Sequence, residues 1–178
     1  VSLSLARGQQ QQPPPQQQWR QQADTPPARD SASAPLAANG RFPLALLHRA
    51  LGEAAMVGDA AMLRRLLVLP GAGVNERCGL VGAPGRAPLH CAAASGRPEC
   101  VSLLLKSGAS VHLPADGART PLHLAAEGGT ALHAECAQLL LGFAADATAT
   151  DVDGCSALDL AEAAHSRDCA LILRPLMP

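Results

Sequence analysis

The most chemically reactive side chains in this 178-residue sequence are its six cysteines. Zinc and redox sites typically use two cysteines separated by two residues, and no such motif occurs here. Cys100, Cys136 and Cys169 instead follow one another at intervals of 36 and 33 positions. This spacing indicates one small buried position repeated along the chain, where free cysteine packs as a small hydrophobic residue. We predict packing at these positions, with a metal site and disulfide bonds as the two alternatives.

The histidines offer a second possible chemistry, as general bases or as partners of a nucleophile. His90 and His123 are 33 positions apart and so occupy the same position of a repeating unit. A nucleophile pair could be assembled from Cys91 and His123, but no third residue would activate or orient it. The sequence also lacks the motifs of phosphate-binding loops, serine hydrolases and zinc proteases. We therefore predict that the chain is not an enzyme and that it holds no cofactor and no metal.

Composition narrows the range of partners. The net charge is -1 and aromatic residues make up 2% of the chain, so neither a basic face nor stacking platforms are available for nucleic acid. No apolar run approaches the roughly 18–20 residues that a membrane-spanning helix needs. Free cysteines favour a reducing compartment, so we expect an intracellular protein, cytoplasmic or nuclear. The sequence starts at Val1 rather than Met, which leaves organelle targeting open.

Two regions of different composition divide the chain. Residues 1–41 are rich in glutamine and proline, and because such a segment buries too little apolar surface to fold, we predict a disordered tail. A proline-rich docking segment and a transit peptide are alternative interpretations of the same residues. From Phe42 onward, leucine and alanine recur at helical spacing between glycines. Residues 42–178 are therefore predicted to form the folded domain.

An internal repeat organises the folded region. Residues 87–93 read Ala-Pro-Leu-His-Cys-Ala-Ala, and residues 120–126 read Thr-Pro-Leu-His-Leu-Ala-Ala, 33 positions later. A third copy, Ser-Ala-Leu-Asp-Leu-Ala at residues 156–161, follows after a further 36 positions. Because a unit of this length cannot bury its own apolar face, neighbouring units must stack.

This period and the Thr-Pro-Leu-His-x-Ala motif resemble the ankyrin repeat family. The resemblance implies an all-α solenoid of stacked helix-turn-helix units with finger loops between them. It extends over about four repeats, at residues 44–76, 83–113, 115–149 and 151–174.

Several local features are expected from the alignment of the repeats. Asp59 and Thr120 can cap the starts of helices, and Pro121 fits the first helical position. The loop before Pro88 is about four residues longer than the later loops, which predicts a long first finger. Three extra residues in the third repeat predict a distorted turn between its two helices. The fourth repeat is expected to cap the stack and to fray locally.

The resemblance also implies a function, because similar proteins hold a protein partner on the concave surface formed by finger loops and first helices. We expect an unidentified protein partner, a monomeric chain, and neither nucleic acid nor a membrane as ligand. The positions that match this surface are Arg86, Ala94, Ser95, Asp116, Arg119, Glu127, Gly128, Val152, Asp153 and Cys155.

Two more specific functions fit the same surface. One is a substrate-recognition adaptor of a ubiquitin ligase, although we expect no ligase-recruiting box in the few residues that follow the fourth repeat. The other is a regulatory fragment of a larger enzyme or channel, with further sequence before Val1. A generic scaffold is the simpler expectation.

Overall fold

The computed structural model describes residues 43–176, and the predicted disordered tail at residues 1–41 lies outside this range. Within the described range the chain forms eight α-helices and no strand. Two short 3₁₀ turns, Asp116–Ala118 and Arg174–Leu176, complete the secondary structure there. The helices are α1 (Leu44–Val57), α2 (Ala60–Leu67), α3 (Pro88–Ala94), α4 (Pro98–Lys106), α5 (Pro121–Glu127), α6 (Ala131–Gly142), α7 (Ala157–Ala163) and α8 (Arg167–Leu173).

The helices are arranged in two layers. Helices α1, α3, α5 and α7 contact one another in succession and form one layer, and α2, α4, α6 and α8 form the other. The two helices of each repeat also pack against each other as a helical hairpin. Stacked hairpins of this kind are the all-α architecture that the resemblance implies.

Leucine and alanine form the core between the layers. Leu104, Leu140 and Leu173 occupy the same position of three successive second helices, and all three are fully buried. Burying one leucine side chain completely stabilises a fold by roughly 1.5–3 kcal/mol. Ala93 and Ala126 are also fully buried in the first helices, because a methyl side chain lets neighbouring helix backbones approach closely.

The repeated cysteine position belongs to this core, as predicted. Cys100, Cys136 and Cys169 have no exposed surface, and burial raises the pKa of all three thiols. All six cysteines of the chain lie in the described range, and all are free thiols. Packing between repeats therefore explains the regular spacing of the three residues.

Local sequence signals determine where the helices begin. Helix α2 has the predicted cap, because Oδ1 of Asp59 accepts the backbone N–H of Met62 at 2.8 Å. Helix α5 starts with Pro121 at its first position, where the missing N–H leaves no donor unpaired. At the start of α5, the hydroxyl of Thr120 lies 2.8 Å from Nδ1 of His123, which also accepts the backbone N–H of Thr120 at 3.2 Å. Helix starts are thus fixed by side chains close in sequence.

The turns between paired helices follow two patterns. In the first two repeats, Gly58 and Gly96 adopt φ angles of 91° and 59°, a left-handed conformation that favours glycine. In the third repeat, Gly128 is extended, with φ of -77° and ψ of 130°. Helix α6 also has 12 residues where α4 has 9. The three extra residues therefore lengthen the second helix and open the turn, which confirms the predicted distortion.

His133 fills this opened turn, a role that the sequence does not indicate. Its Nδ1 lies 2.7 Å from the hydroxyl oxygen of Thr130, and its Nε2 lies 3.2 Å from the carbonyl oxygen of Ala94. Since Ala94 ends α3, the imidazole links the third repeat to the second. A side chain at Gly128 would overlap this ring, so glycine is required beside it.

Candidate functional site

Three finger loops connect the helical hairpins: finger 1 (residues 75–87), finger 2 (residues 111–120) and finger 3 (residues 148–156). Finger 1 is a hairpin in which the N–H of Cys78 donates to the carbonyl oxygen of Arg86 at 2.8 Å. Leu80 and Ala83 are buried near its end, whereas Val81 between them is 97% exposed. Apolar contacts thus anchor finger 1, and its tip presents one valine to solvent.

Fingers 2 and 3 are shorter than finger 1. The N–H of Ala115 donates to the carbonyl oxygen of Arg119 at 2.8 Å, and the N–H of Asp151 donates to that of Cys155 at 3.0 Å. Each of these bonds joins residues four positions apart, whereas the bond that closes finger 1 joins residues eight positions apart. The predicted long first finger is therefore confirmed.

Further hydrogen bonds join each repeat to the next along the row of loops. The N–H of Val152 in finger 3 donates to the carbonyl oxygen of Gly117 in finger 2 at 3.0 Å. The amide group of Asn75 accepts the N–H of Ser110 at 2.8 Å and donates to the carbonyl oxygen of Gly108 at 3.4 Å. Each loop is consequently held by its neighbour as well as by its own hairpin.

Arg119 is the centre of an ionic network between fingers 2 and 3. Its Nη1 lies 3.1 Å from Oε2 of Glu127, at the end of α5, and its Nε lies 3.5 Å from Oδ2 of Asp151. The Asp151 side chain is 1% exposed, and its Oδ1 accepts the N–H groups of Asp153 and Cys155 at 3.0 Å each. A carboxylate in this position both shapes finger 3 and orients Arg119.

The environment of Asp151 keeps this carboxyl group ionised. Burial by itself would raise its pKa, but hydrogen bonds from two backbone N–H groups and the charge of Arg119 outweigh burial and hold the pKa below its ordinary value. The contact with Arg119 is an ion pair in which the Asp151 side chain is buried and that of Arg119 is 31% exposed. Asp151 is therefore charged throughout the neutral pH range.

A second ion pair lies between fingers 1 and 2. Nη1 of Arg77 is 3.1 Å from Oδ1 of Asp116, and the two side chains are 65% and 54% exposed. The carboxylate of Asp116 also lies against Gly85 of finger 1. An exposed pair of this kind contributes at most about 1 kcal/mol to stability. Both charges remain accessible to a molecule that approaches from solvent.

His123 joins the base of finger 2 to finger 3. Nδ1 of His123 accepts the backbone N–H of Thr120 at 3.2 Å, and from this contact we assign the hydrogen of the ring to Nε2. Nε2 then donates to the carbonyl oxygen of Cys155 at 3.3 Å. With both ring nitrogens engaged, His123 has no free nitrogen with which to activate Cys91.

His90 occupies the equivalent position in the second repeat. Its Nδ1 accepts the N–H of Ala87 at 3.3 Å, and the residue is fully buried. Burial lowers the pKa of His90 to about 4, and the positive charges of Arg86 and Arg77 act in the same direction. His90 is therefore neutral at pH 7, where it supports the base of finger 1.

Five of the predicted partner-contact residues, in fingers 2 and 3 and at the adjoining helix end, are exposed or form an ion pair with an exposed residue. Asp116, Val152 and Asp153 are exposed at the fingers, with Val152 71% exposed. Glu127 is exposed at the end of α5, where it contacts the partly exposed Arg119. The structure thus brings Arg119 and Glu127 together directly.

The other five predicted residues are partly buried. Three of them use their carbonyl oxygens inside the stack: Ala94 accepts Nε2 of His133 at 3.2 Å, Gly128 accepts the hydroxyl of Ser166 at 2.9 Å, and Cys155 accepts Nε2 of His123. These three backbone acceptors are therefore committed to contacts between repeats. The five residues are Arg86, Ala94, Ser95, Gly128 and Cys155.

Three further residues of this surface are not indicated by the sequence. Arg77 contacts Asp116 across 39 positions, and Asp151 contacts Arg119 across 32 positions, so neither contact is visible in a local pattern. The pair of acidic residues around Val152 gives a partial signal for Asp151, as a residue that shapes a turn. For Val81 the only signal in the sequence is the extra length of finger 1.

Two other kinds of site are lacking in residues 43–176. No group of three His, Cys, Asp or Glu side chains in this range is arranged to hold a metal ion. None of the helices in the same range combines the length and the hydropathy needed to cross a membrane. The chemistry of the surface is that of ion pairs, hydrogen bonds and single apolar contacts.

Known proteins resemble the central part of the chain. Residues 89–141 match the model of the family of ankyrin repeats in many copies. Protein phosphatase 1 regulatory subunit 27 of Homo sapiens is 43% identical over 70 residues, which cover 39% of this chain and 44% of that protein. Inversin of Gallus gallus is 32% identical over 144 residues, or 80% of this chain and 12% of inversin. Probable E3 ubiquitin-protein ligase XBOS32 of Oryza sativa subsp. japonica is 41% identical over 93 residues, or 51% of this chain and 18% of the ligase.

The chain spans less than half of the length of each of these relatives. The family match at residues 89–141 begins in α3 and ends in α6. The stacked hairpins and the repeated buried positions continue on both sides of the match. The hairpins are therefore ankyrin repeats, and the chain belongs to the ankyrin repeat family.

Proposed function

We propose that residues 42–178 are a protein-binding module that holds a partner protein on the finger surface, defined as fingers 1–3 with the C-terminal ends of α3 and α5. The observation that carries the proposal is the network in which Asp151 and Glu127 hold Arg119 in place. A side chain that is already fixed loses little conformational entropy when a partner binds. The surface is suited to binding, and we propose that it performs no catalysis.

The proposed contacts combine the ten positions of the repeat alignment with three residues found in the structure. Asp116 and Asp153 supply exposed carboxylates, and Arg86 and Arg119 supply guanidinium groups. Val152 supplies apolar surface beside them. Three residues complete the set. Arg77 is a further charged contact, Asp151 positions Arg119, and Val81 is an apolar residue at the tip of finger 1. Charged groups around single apolar residues are typical of a specific and reversible interface.

The nature of the partner and the compartment belong to the same proposal. We propose a protein partner, with neither nucleic acid nor a membrane as ligand, and a chain that acts as a monomer. The net charge of -1 supports a protein over a nucleic acid. The six free thiols support an intracellular location, cytoplasmic or nuclear.

A second candidate is more specific: the module selects substrates for a ubiquitin ligase. The rice relative supports this candidate, because its name is that of a probable ubiquitin-protein ligase. The human relative supports regulation of an enzyme in the same way, because it is named as a phosphatase regulatory subunit. Both candidates keep the finger surface as the contact site and differ only in the protein that is bound.

The test is affinity capture from a lysate with the full chain as bait and two matched variants. The finger variant replaces four charged residues by alanine and retains Arg119, so that the buried Asp151 keeps its partner. The control variant removes the same two positive and two negative charges from exposed positions of the second helices. The finger variant changes Arg77, Arg86, Asp116 and Asp153, and the control variant changes Arg64, Arg65, Glu99 and Glu135.

We expect one or more proteins to be retained by the wild type and by the control variant and to be reduced at least about tenfold with the finger variant. Circular dichroism of all three chains checks that helix content is equal. Equal retention by all three baits, or loss with the control variant alone, would contradict the assignment of the finger surface.

A further inference from the structure

Arg86 and Arg119 occupy equivalent positions in successive repeats. They are 33 positions apart, and each immediately precedes the first residue of the repeated motif. The carbonyl oxygen of each arginine also accepts the hydrogen bond that closes its finger. The two guanidinium groups are therefore presented by the same local backbone, and any difference between them must come from their neighbours.

The two carboxylates that hold Arg119 have no counterparts around Arg86. Glu127 is the last residue of α5, and the last residue of α3 is Ala94. Asp151 donates the closing hydrogen bond of finger 3, and the residue that does so in finger 2 is Ala115. Asp151 and Ala115 are similarly buried, at 6% and 8% exposure. At the two positions near Arg86 that correspond to Glu127 and Asp151, the chain therefore has alanine.

Arg86 consequently has no ion-pair partner within the described residues. The adjacent finger brings Asp116 against Gly85, but the carboxylate of Asp116 binds Arg77 at 3.1 Å. Arg86 is half-buried, so water screens its charge less than that of a fully exposed arginine. A half-buried guanidinium without a carboxylate is a binding group for an anion from outside the chain.

We propose that Arg86 binds a carboxylate of the partner protein, supplied by an aspartate or glutamate in an acidic segment. This carboxylate takes the place at Arg86 that Glu127 and Asp151 take at Arg119, in contact with Nη1 or Nε. The inference rests on the proposed function and specifies its partner, which carries an acidic residue opposite finger 1. Arg119 contributes to the same surface but does not take up a further carboxylate.

The experiment is a titration of the full chain, labelled with ¹⁵N in its arginines, with the peptide acetyl-Glu-Glu-amide. Nuclear magnetic resonance follows the Nε–Hε signals, and Arg86→Lys and Arg119→Lys variants assign the two that matter. We expect the signal of Arg86 to shift more than that of Arg119, by up to about fivefold, since an ion pair of up to ~1 kcal/mol changes a binding equilibrium by at most about this factor. Equal shifts, or a larger shift at Arg119, would overturn the inference.

A variant that completes the missing network provides the matched control. In Ala94→Glu/Ala115→Asp, the chain itself supplies both carboxylates, so we expect the response of Arg86 to the peptide to fall to that of Arg119. Ala94→Glu alone, at a half-exposed helix end, serves if the double variant does not fold, and it should reduce the response in the same direction. An undiminished response in a folded variant would contradict the proposed equivalence.

Inorganic phosphate at the same concentration is the second probe. A shift of Arg86 that is larger with phosphate than with the peptide would overturn the choice of a carboxylate. Failure here is distinguishable from failure of the proposed function. If the finger variant loses a captured protein while the Arg86 signal does not shift with the peptide, the assignment of the finger surface is supported and this inference is contradicted. If Arg86 responds while the finger variant retains all proteins, the proposed function falls, and with it the protein origin of the carboxylate.

Discussion

Nε of Arg119 lies 3.5 Å from the buried carboxylate of Asp151, which follows it by 32 positions in the chain. The two residues belong to different repeats, so the contact joins finger 2 to finger 3. In a stacked repeat protein each unit contacts only its neighbours, and the position of a finger is therefore set by the repeats beside it. Asp151 therefore contributes both to the stability of the stack and to the geometry of the finger surface.

Replacing Asp151 by asparagine tests its structural role. The folded-state pKa of Asp151 lies below the ordinary value of 3.8, so its charge stabilises the fold above that pH and this contribution is lost as pH falls through the folded-state pKa. We expect Asp151→Asn to lower the thermal midpoint at pH 7, and we expect the difference from wild type to shrink below pH 3.8. Thermal unfolding by circular dichroism measures both. The exposed Asp153→Asn is the control, and an equal effect of the two changes would count against the network.

His90 predicts a second pH dependence, in a higher range. Its pKa is lowered from 6.5 to about 4 in the folded chain, so the unfolded chain binds more protons between these values. Stability should therefore fall as pH is lowered from 6.5 to 4, by up to about 3 kcal/mol, and this contribution should not change further below pH 4. Urea unfolding at pH 7, 6, 5 and 4 measures the effect.

His90→Asn removes the titrating group, so we expect it to remove most of the loss of stability between pH 6.5 and 4. His112→Asn, at an exposed position of finger 2, is the control and should keep the wild-type dependence. If the wild type and His90→Asn lose stability in parallel over this range, the burial of a neutral His90 is not the cause.

The outer face of the α7–α8 hairpin carries an ion pair where the earlier repeats carry apolar residues. Glu162 aligns with the buried Ala126, and Arg174 aligns with the partly buried Leu141. Nη2 of Arg174 lies 2.8 Å from Oε1 of Glu162. Charged residues at these positions disfavour the stacking of a further repeat, because both would have to be desolvated. This agrees with the expected capping role of the fourth repeat.

We expect Glu162→Ala/Arg174→Leu to convert this face into one that stacks, so that the variant self-associates through it at micromolar concentrations. Analytical ultracentrifugation measures the change in mass relative to the wild type. Glu53→Ala/Arg49→Leu removes an exposed ion pair of the same length, 2.8 Å, from α1 and should leave the mass unchanged. Sedimentation of the first variant at the wild-type mass would show that the ion pair does not determine stacking.

The hairpin α7–α8 should also open more readily than the two central hairpins. Among the described residues it packs against one neighbouring hairpin, whereas α3–α4 and α5–α6 each pack against two. Local opening costs least where few buried contacts are lost, so amide hydrogens of α7 and α8 should exchange faster than those of α4 and α5. Hydrogen exchange followed by mass spectrometry provides the rates. Uniformly slow exchange from α4 through α8 would contradict a graded stack.

The sequence predicts the fold more completely than the surface. Period and motif locate the hairpins, and the spacing of Cys100, Cys136 and Cys169 identifies a buried position in three second helices. The insertion of three residues also predicts an altered turn, but not that His133 would fill it by reaching back to Ala94. That contact joins residues 39 positions apart, and its existence depends on how two repeats stack.

The same reason limits prediction of the candidate site. Repeat alignment selects Arg86 and Arg119 as equivalent residues, yet it does not show that one is paired and the other is not. The distinction depends on Asp151 and Ala115, which are equivalent because each donates the hydrogen bond that closes its finger. Alignment by sequence alone places Asp116 against Asp153 with a shift of one residue, and this shift hides the relationship.

A hydrogen-exchange footprint of the full chain, with and without the protein that it captures, tests the finger surface most directly. We predict that binding slows amide exchange mainly in fingers 1–3 and at the C-terminal ends of α3 and α5. The Arg77/Arg86/Asp116/Asp153 variant should show no such protection at the same protein concentrations. Protection concentrated on α2, α4, α6 and α8, with the fingers unchanged, would contradict the assignment and place the contact on the opposite layer of the stack.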